Sequence, residues 1–159
     1  MPMDSIKLDQ TDIGILNLLQ KDGHITYKEI AQKLKRNKST IGERIQWLKR
    51  NGYIRNTVTL VNAAKIMPLF LVFTFVELKD HSKENFSLFR QRIMNLPEVM
   101  ECYQVTGRYD FKLKIFVRDM SAYNAFLMEH ITSLDFVGKL ESFTVIDETK
   151  MQTGYELSL

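Results

Sequence analysis

A single cysteine, Cys102, excludes an intramolecular disulfide and any zinc site built on clustered thiolates. Sitting in a strand-like segment, it reads by default as a buried structural thiol rather than a reactive one. The three histidines, His24, His81 and His130, are scattered, and no pair has metal-ligand spacing on one face. His24 falls in the loop before Thr26 and reads as solvated. His130 lies near a helix end, where a cation is mildly favoured. The glycines form neither a phosphate loop nor a dinucleotide loop, and no G-x-S-x-G elbow is present. The chain is therefore expected to be no enzyme, to hold no metal and no resident cofactor, and to take at most a small-molecule effector. The longest largely apolar stretch, Ile66–Val76, covers 11 residues with Thr74 among them, short of the about 20 that a membrane helix needs. The opening MPMDSIKLDQ carries acids and no apolar core, so it reads as no secretory signal. A cytoplasmic protein with no membrane partner is the expectation.

What is present is unevenly distributed. Apolar residues make up 45% and charged residues 26%, ordinary for a globular chain of one domain or two small ones. The net charge of +3 conceals an asymmetry: residues 1–60 carry net +5 and the remainder net −2. From Lys33 to Arg55 there are eight Lys or Arg against one acid, Glu43. Phosphate binding favours such a stretch, because Lys and Arg displace condensed counterions.

That stretch has the pattern of two helices and a tight turn. Thr26 and Glu29 have capping-box spacing, and Ile30, Ala31 and Leu34 share one face. Asn37 is a good N-cap for the next helix. There Ile41, Ile45 and Leu48 form the buried stripe, and Lys38, Ser39, Gly42, Glu43, Gln46, Lys49 and Arg50 face outward. An ordinary amphipathic pair would also look so, but the cation density favours a recognition helix for a DNA major groove. Residues 9–20 read as an earlier helix, capped by Asp9. Asn51-Gly52 stops the third helix. Residues 53–55 and 57–61 then read as extended, a connector or also a short wing or dimer strand.

Beyond residue 68 the period changes. Leu69–Leu78 is apolar on both faces and reads as a strand covered on both sides. Ser82 starts a helix carrying Phe86, Phe89 and Ile93. Val99–Thr106 is a second strand and Gly107–Asp110 a turn. Phe111–Arg118 alternates, with Phe111, Leu113, Ile115 and Val117 opposite Lys112, Lys114 and Phe116. Asp119 caps a helix with Tyr123, Phe126, Leu127 and Ile131 on one face, and Leu140–Glu148 is the fourth strand. The fold class is α+β: a three-helix, winged helix-turn-helix followed by a βαββαβ ferredoxin-like antiparallel sheet. The expected domains are residues 1–54 for DNA binding, 55–67 as linker or hinge, and 68–159 for effector sensing and oligomerisation. One sheet face stays apolar and uncovered, which suggests a homodimer packed sheet against sheet, presenting two recognition helices to a two-fold site.

The whole chain resembles the leucine-responsive regulator (Lrp/AsnC) family of transcription factors. The resemblance rests on Leu8-Asp9, Asp12, Ile15-Leu16, Glu29-Ile30-Ala31, Arg44-Ile45, Leu48 and Gly52-Tyr53-Ile54. It continues through Val99, Cys102-Tyr103, Val105-Thr106-Gly107, Tyr109-Asp110 and Lys150. It implies a DNA-binding helix-turn-helix joined to an amino-acid-responsive domain, assembling as dimers and often as tetramers or octamers. Three positions depart from the family pattern: Lys35 stands where Gly is usual in the turn, Asn37 where Ser usually caps, and Ser142 where Thr is common.

The expected DNA contacts are Ser39, Thr40, Glu43 and Gln46 to base edges, and Arg36, Lys38, Lys49 and Arg50 to phosphates. Gly42 would let the helix approach the groove closely. Arg44 is either a structural ion pair at the rim or a phosphate clamp. By sequence alone Gly107, Arg108, Tyr109 and Asp110 form a hairpin turn. The resemblance adds an amino-acid site beside this turn at a subunit interface, with backbone N–H groups for a carboxylate, Asp110 for an ammonium, and Ser142 as a further member. Two other functions stay open: ligand-independent architectural DNA binding, and a metabolite-binding module whose helical part docks protein.

Overall fold

The computed structural model describes residues 8–159. The first seven residues, expected within the helix-turn-helix domain and in a non-signal N-terminus, lie outside the described residues. The described chain forms two compact units, one of residues 8–60 with Lys150–Leu159 and one of Val61–Thr149. None of the described helices is long and apolar enough to cross a membrane.

The first unit holds three helices, α1 (Gln10–Lys21), α2 (Tyr27–Leu34) and α3 (Lys38–Arg50). Both early caps are reciprocal. Asp9 accepts from the N–H groups of Thr11 and Asp12 while Asp12 accepts from the N–H of Asp9. Thr26 and Glu29 make the same exchange at α2. Ile15, Ile30, Ile41, Ile45 and Leu48 fill the core, each at most 1% exposed. Asn37 holds the capping position of α3, but its side chain makes no capping hydrogen bond. Residues 55–62 form neither helix nor strand. The sequence expectation put residues 68–159 in one domain; in the structure the last ten pack with the first unit.

Arg44 ties α3 to the start of α1. Its guanidinium bonds both Asp9 and Asp12, and Asp12 is buried. The N–H of Asp12, helped by Arg44, holds the Asp9 carboxyl below its ordinary value of 3.8. A depressed native value stabilises fully above the ordinary one and is lost as pH falls through the native one. The first unit should therefore lose stability on acidification below 3.8, and Asp9→Asn should flatten that loss in thermal scans.

The second unit is a four-stranded antiparallel sheet in the order β2-β3-β1-β4. Its elements are β1 (Phe70–Leu78), α4 (Lys83–Met94), β2 (Val99–Gln104), β3 (Phe111–Val117), α5 (Met120–Phe126) and β4 (Val137–Thr144). The expected ferredoxin-like order is the one found. Val72, Val76, Leu113, Ile115, Phe89, Ile93, Phe126 and Ile131 meet in the core beneath the helices. β1 is apolar on both faces, yet only alternate residues are buried, because the helices cover one face only.

Three local expectations are corrected. Cys102 is exposed, not buried, because β2 lies at the sheet edge. The fourth strand starts and ends earlier than Leu140–Glu148: a register shift between Val76 and Leu78 lets Val137 pair with Leu78, and the Gly138 backbone passes close to the carbonyl of Glu77. The helix after Asp119 continues past α5 as a π turn, Leu127–Ile131, which its apolar spacing did not signal.

Arg44→Ala strands the buried Asp12 carboxylate and should cost the first unit about 2 kcal/mol in urea unfolding, less than a fully buried pair because Arg44 is partly exposed. Adding Asp12→Asn should recover part of it. A single-variant loss under about 0.5 kcal/mol would show the pair to be structurally idle.

Candidate nucleic-acid interface and effector site

The turn between α2 and α3 is set by two hydrogen bonds. The N–H of Arg36 reaches the carbonyl of Ala31 at 2.9 Å and that of Lys35 reaches Gln32 at 3.3 Å. This is the Schellman pattern, which needs a left-handed residue between helix and turn. Lys35 supplies it, with φ +53°, and is the one non-glycine at positive φ among the described residues. The end of α3 has the same bonds, Tyr53 to Leu48 and Gly52 to Lys49, with glycine in the left-handed place at φ +76°. Lys35 thus occupies a position where glycine is cheaper by about 1 kcal/mol. What it adds is charge.

Lys28, Gln32, Lys35, Arg36, Lys38 and Thr40 line an open concavity of about 580 Å³ beside this turn. Lys28 was not expected here; its place at the start of α2, where the helix faces the next turn, was the available signal. On α3, Lys38, Ser39, Glu43, Gln46, Lys49 and Arg50 are exposed and Thr40 is half-buried. Ser39, Glu43, Gln46 and Arg50 follow one another at helical spacing, so they share a face opposite Ile41, Ile45 and Leu48. Trp47 stacks on Tyr53 at 5.5 Å and fixes how the chain leaves α3. Arg44, by contrast, is engaged by Asp9 and Asp12. A Cβ added at Gly42 would meet only the ring of Tyr27, at 3.5 Å, an ordinary contact. Nothing within the unit demands glycine there.

In the second unit the turn after β2 places Gly107 at φ +113°. Arg108 lies over the Tyr109 ring at 5.3 Å. The Tyr109 hydroxyl donates to Glu141 at 2.6 Å, and that bond is the main reason its phenol is pushed up from the ordinary value. The ring packs on Phe75, which packs on Phe143. Asp110 is woven into β1: its N–H donates to the Val76 carbonyl at 2.8 Å, and its Oδ2 accepts from the Leu78 N–H at 2.8 Å and lies 3.2 Å from His81 Nε2. Its Oδ1 has no partner among the described residues. Ser142 pairs in register with Thr74, and the Tyr123 hydroxyl bridges the two under the helices. Glu141, one residue earlier, points to the uncovered face with Tyr109. The structure therefore gathers Gly107, Arg108, Tyr109 and Asp110 but sets Ser142 on the other side of the sheet; the residue that meets the turn is Glu141.

The uncovered face carries Leu71, Phe73, Phe75, Phe116 and Phe143, the last 52% exposed, with Lys112 seated on the Phe73 ring at 4.5 Å. A cationic helix-turn-helix and a ferredoxin-like unit with one bare apolar face define a DNA-binding protein joined to a ligand-binding and assembling unit.

Comparison with known proteins agrees. The winged helix-turn-helix DNA-binding family model matches residues 8–55, and the Lrp/AsnC ligand binding domain model matches residues 71–155. The leucine-responsive regulatory proteins of Escherichia coli K12 and Klebsiella pneumoniae are 34% identical over 143 residues, covering 90% of this chain and 87% of theirs. A Neisseria meningitidis transcriptional regulator solved with L-Met is 28% identical, with a TM-score of 0.86 over 92% of this chain and 95% of that one. An AsnC family transcriptional regulator from Agrobacterium tumefaciens gives the same identity and TM-score over 93% and 96%. The chain belongs to the Lrp/AsnC family of transcriptional regulators.

Two substitutions separate the demands of folding from those of DNA. Gly42→Ala should raise the stability of the first unit by about 1 kcal/mol through helix propensity, and lower DNA affinity if the groove approaches α3 closely. Lys35→Gly should relieve the left-handed strain by about 0.5–1 kcal/mol and weaken every DNA sequence alike. Thermal unfolding and fluorescence anisotropy on one duplex read both. A Gly42→Ala variant that is stabilised and binds DNA normally would remove the close-approach reading.

Proposed function

We propose that this chain regulates transcription as a homodimer on two-fold symmetric DNA, in the cytoplasm and without catalysis, and that an amino acid or related metabolite bound at a subunit interface of its second unit modulates it. The observation that carries the DNA half is the exposed stripe of α3 standing beside a cluster of cations at the turn. In this reading Ser39, Thr40, Glu43 and Gln46 face base edges. Arg36, Lys38, Lys49 and Arg50 hold phosphates, with Lys28 and Lys35 beside them. Arg44 acts from behind, fixing α3 against α1 through Asp9 and Asp12.

For the effector, the L-Met held by the Neisseria relative supports an amino acid as the ligand class. The N–H groups of the Gly107–Asp110 turn suit a carboxylate, and the free Oδ1 of Asp110 suits an ammonium. Ser142 enters as the β4 neighbour of Glu141, whose carboxylate holds Tyr109. Such a ligand acts by its differential affinity for two assemblies, whether dimers, tetramers or octamers. The bare sheet face supports the dimer itself.

Gln46→Ala should shift base preference at one position by about 1–3 kcal/mol, whereas Lys49→Ala should weaken all sequences equally; a binding-site selection with both variants tests this. An unchanged preference for Gln46→Ala would overturn the face assignment. Asp110→Ala should abolish any shift in assembly or DNA affinity caused by a pool of the common amino acids. A variant that responds normally would clear Asp110 of the role. Phe143→Asp should weaken dimerisation by about tenfold or more in sedimentation, since a carboxylate replaces a central apolar group on the bare face.

A further inference from the structure

The end of the chain docks on the DNA-binding unit in a way neither the helix-turn-helix nor the effector site requires. On α1, Asn17 and Gln20 are spaced one helical turn apart. Each uses both ends of its side-chain amide on one residue of the C-terminal segment. Asn17 donates to the carbonyl of Leu157 at 2.9 Å and accepts from its N–H at 3.0 Å. Gln20 donates to the carbonyl of Tyr155 at 3.0 Å and accepts from its N–H at 2.8 Å. The two amides thus serve an extended backbone as a neighbouring strand would, at alternate residues. Leu157 turns its side chain onto the helical core. Gly154 lies so close to Gln20 that an added Cβ would sit 3.1 Å from the Gln20 Cβ. The surface therefore reads Gly-Tyr-x-Leu: no side chain at the first place, backbone at the second and fourth, and an apolar side chain at the last.

From this geometry we infer that α1 carries a docking surface for an extended peptide, occupied by the chain's own residues 154–157. Its consequence follows from connectivity. The DNA-binding unit is joined to the ligand-binding unit once at residues 60–61 and, with the tail docked, a second time through residues 145–153 after β4. A unit held at both ends keeps its recognition helix in a narrower range of positions than a unit on one linker. The second anchor restricts where two recognition helices of a dimer can stand, and so raises affinity for a two-fold site without touching DNA. This part rests on the regulator reading above.

The test uses the full chain, with Asn17→Ala/Gln20→Ala as one variant and Gly154→Val as a second that leaves α1 intact. Hydrogen exchange followed by NMR should show the amides of Tyr155 and Leu157 exchanging at least about tenfold more slowly than those of Glu156 and Ser158. Both variants should erase that alternation while the amides of α2 and α3 stay protected. Uniform fast exchange across residues 154–158 in the unaltered protein would overturn the docking surface. On DNA, half-site affinity should be the same for all three proteins, and affinity for a two-half-site duplex should fall about tenfold in the variants. Equal two-site affinity would overturn the anchoring role. Absence of any half-site complex, with the alternation present, would instead sink the regulator reading and leave the docking surface standing.

Discussion

Everything this molecule offers to DNA depends on how α3 divides its surface. A helix repeats every 3.6 residues, so a stripe given to the core fixes what the opposite stripe must do. Ile41, Ile45 and Leu48 are all but completely buried against α1 and α2. With those positions spent on packing, Ser39, Glu43, Gln46 and Arg50 have no route into the protein. The same three apolar residues seat α3 in the core, and any base readout would need such seating, because a loose helix cannot align bidentate contacts. Arg44 completes the seating by reaching across to the carboxylates that also cap α1.

Charge is placed around that helix at some cost to folding. Lys35 takes a left-handed turn position that Gly52 fills in the equivalent turn one helix later. The two turns share a hydrogen-bond pattern and differ in side chain, so the lysine is best explained by what lies outside the unit. In the second unit the division is of another kind. A sheet with helices on one side leaves an apolar face of phenylalanines, which self-association would cover. Such an assembly would link to DNA binding, since a two-fold dimer presents its recognition helices in pairs.

Much of this was legible in the residues because the governing interactions are short in sequence. The Thr26–Glu29 capping box, the stripe of α3 and the alternation of Phe111–Val117 each depend on neighbours three or four positions away at most. What escaped depends on distant partners. The ion pairs of Arg44 rest on Asp9 and Asp12, more than thirty positions earlier. Cys102 is exposed because of strand order, which no local pattern encodes. Ser142 faces Thr74 and Tyr123 rather than the Gly107–Asp110 turn because a register shift near Val76 sets which side of the sheet it occupies. The docked tail joins positions about 140 apart through two side-chain amides, and nothing in its local sequence announces a partner.

Sequence-specific, phosphate-driven DNA binding is tested most directly by a competition titration. The unaltered protein is bound to DNA from upstream of its own gene and challenged with random duplex of equal length, at two salt concentrations. A specific complex should form that random DNA displaces only at about a thousandfold excess or more, with affinity for both duplexes falling steeply as salt rises. Equal competition by random DNA would reduce the protein to an architectural binder. Salt-independent binding would contradict a cationic DNA interface at α3 and the turn before it.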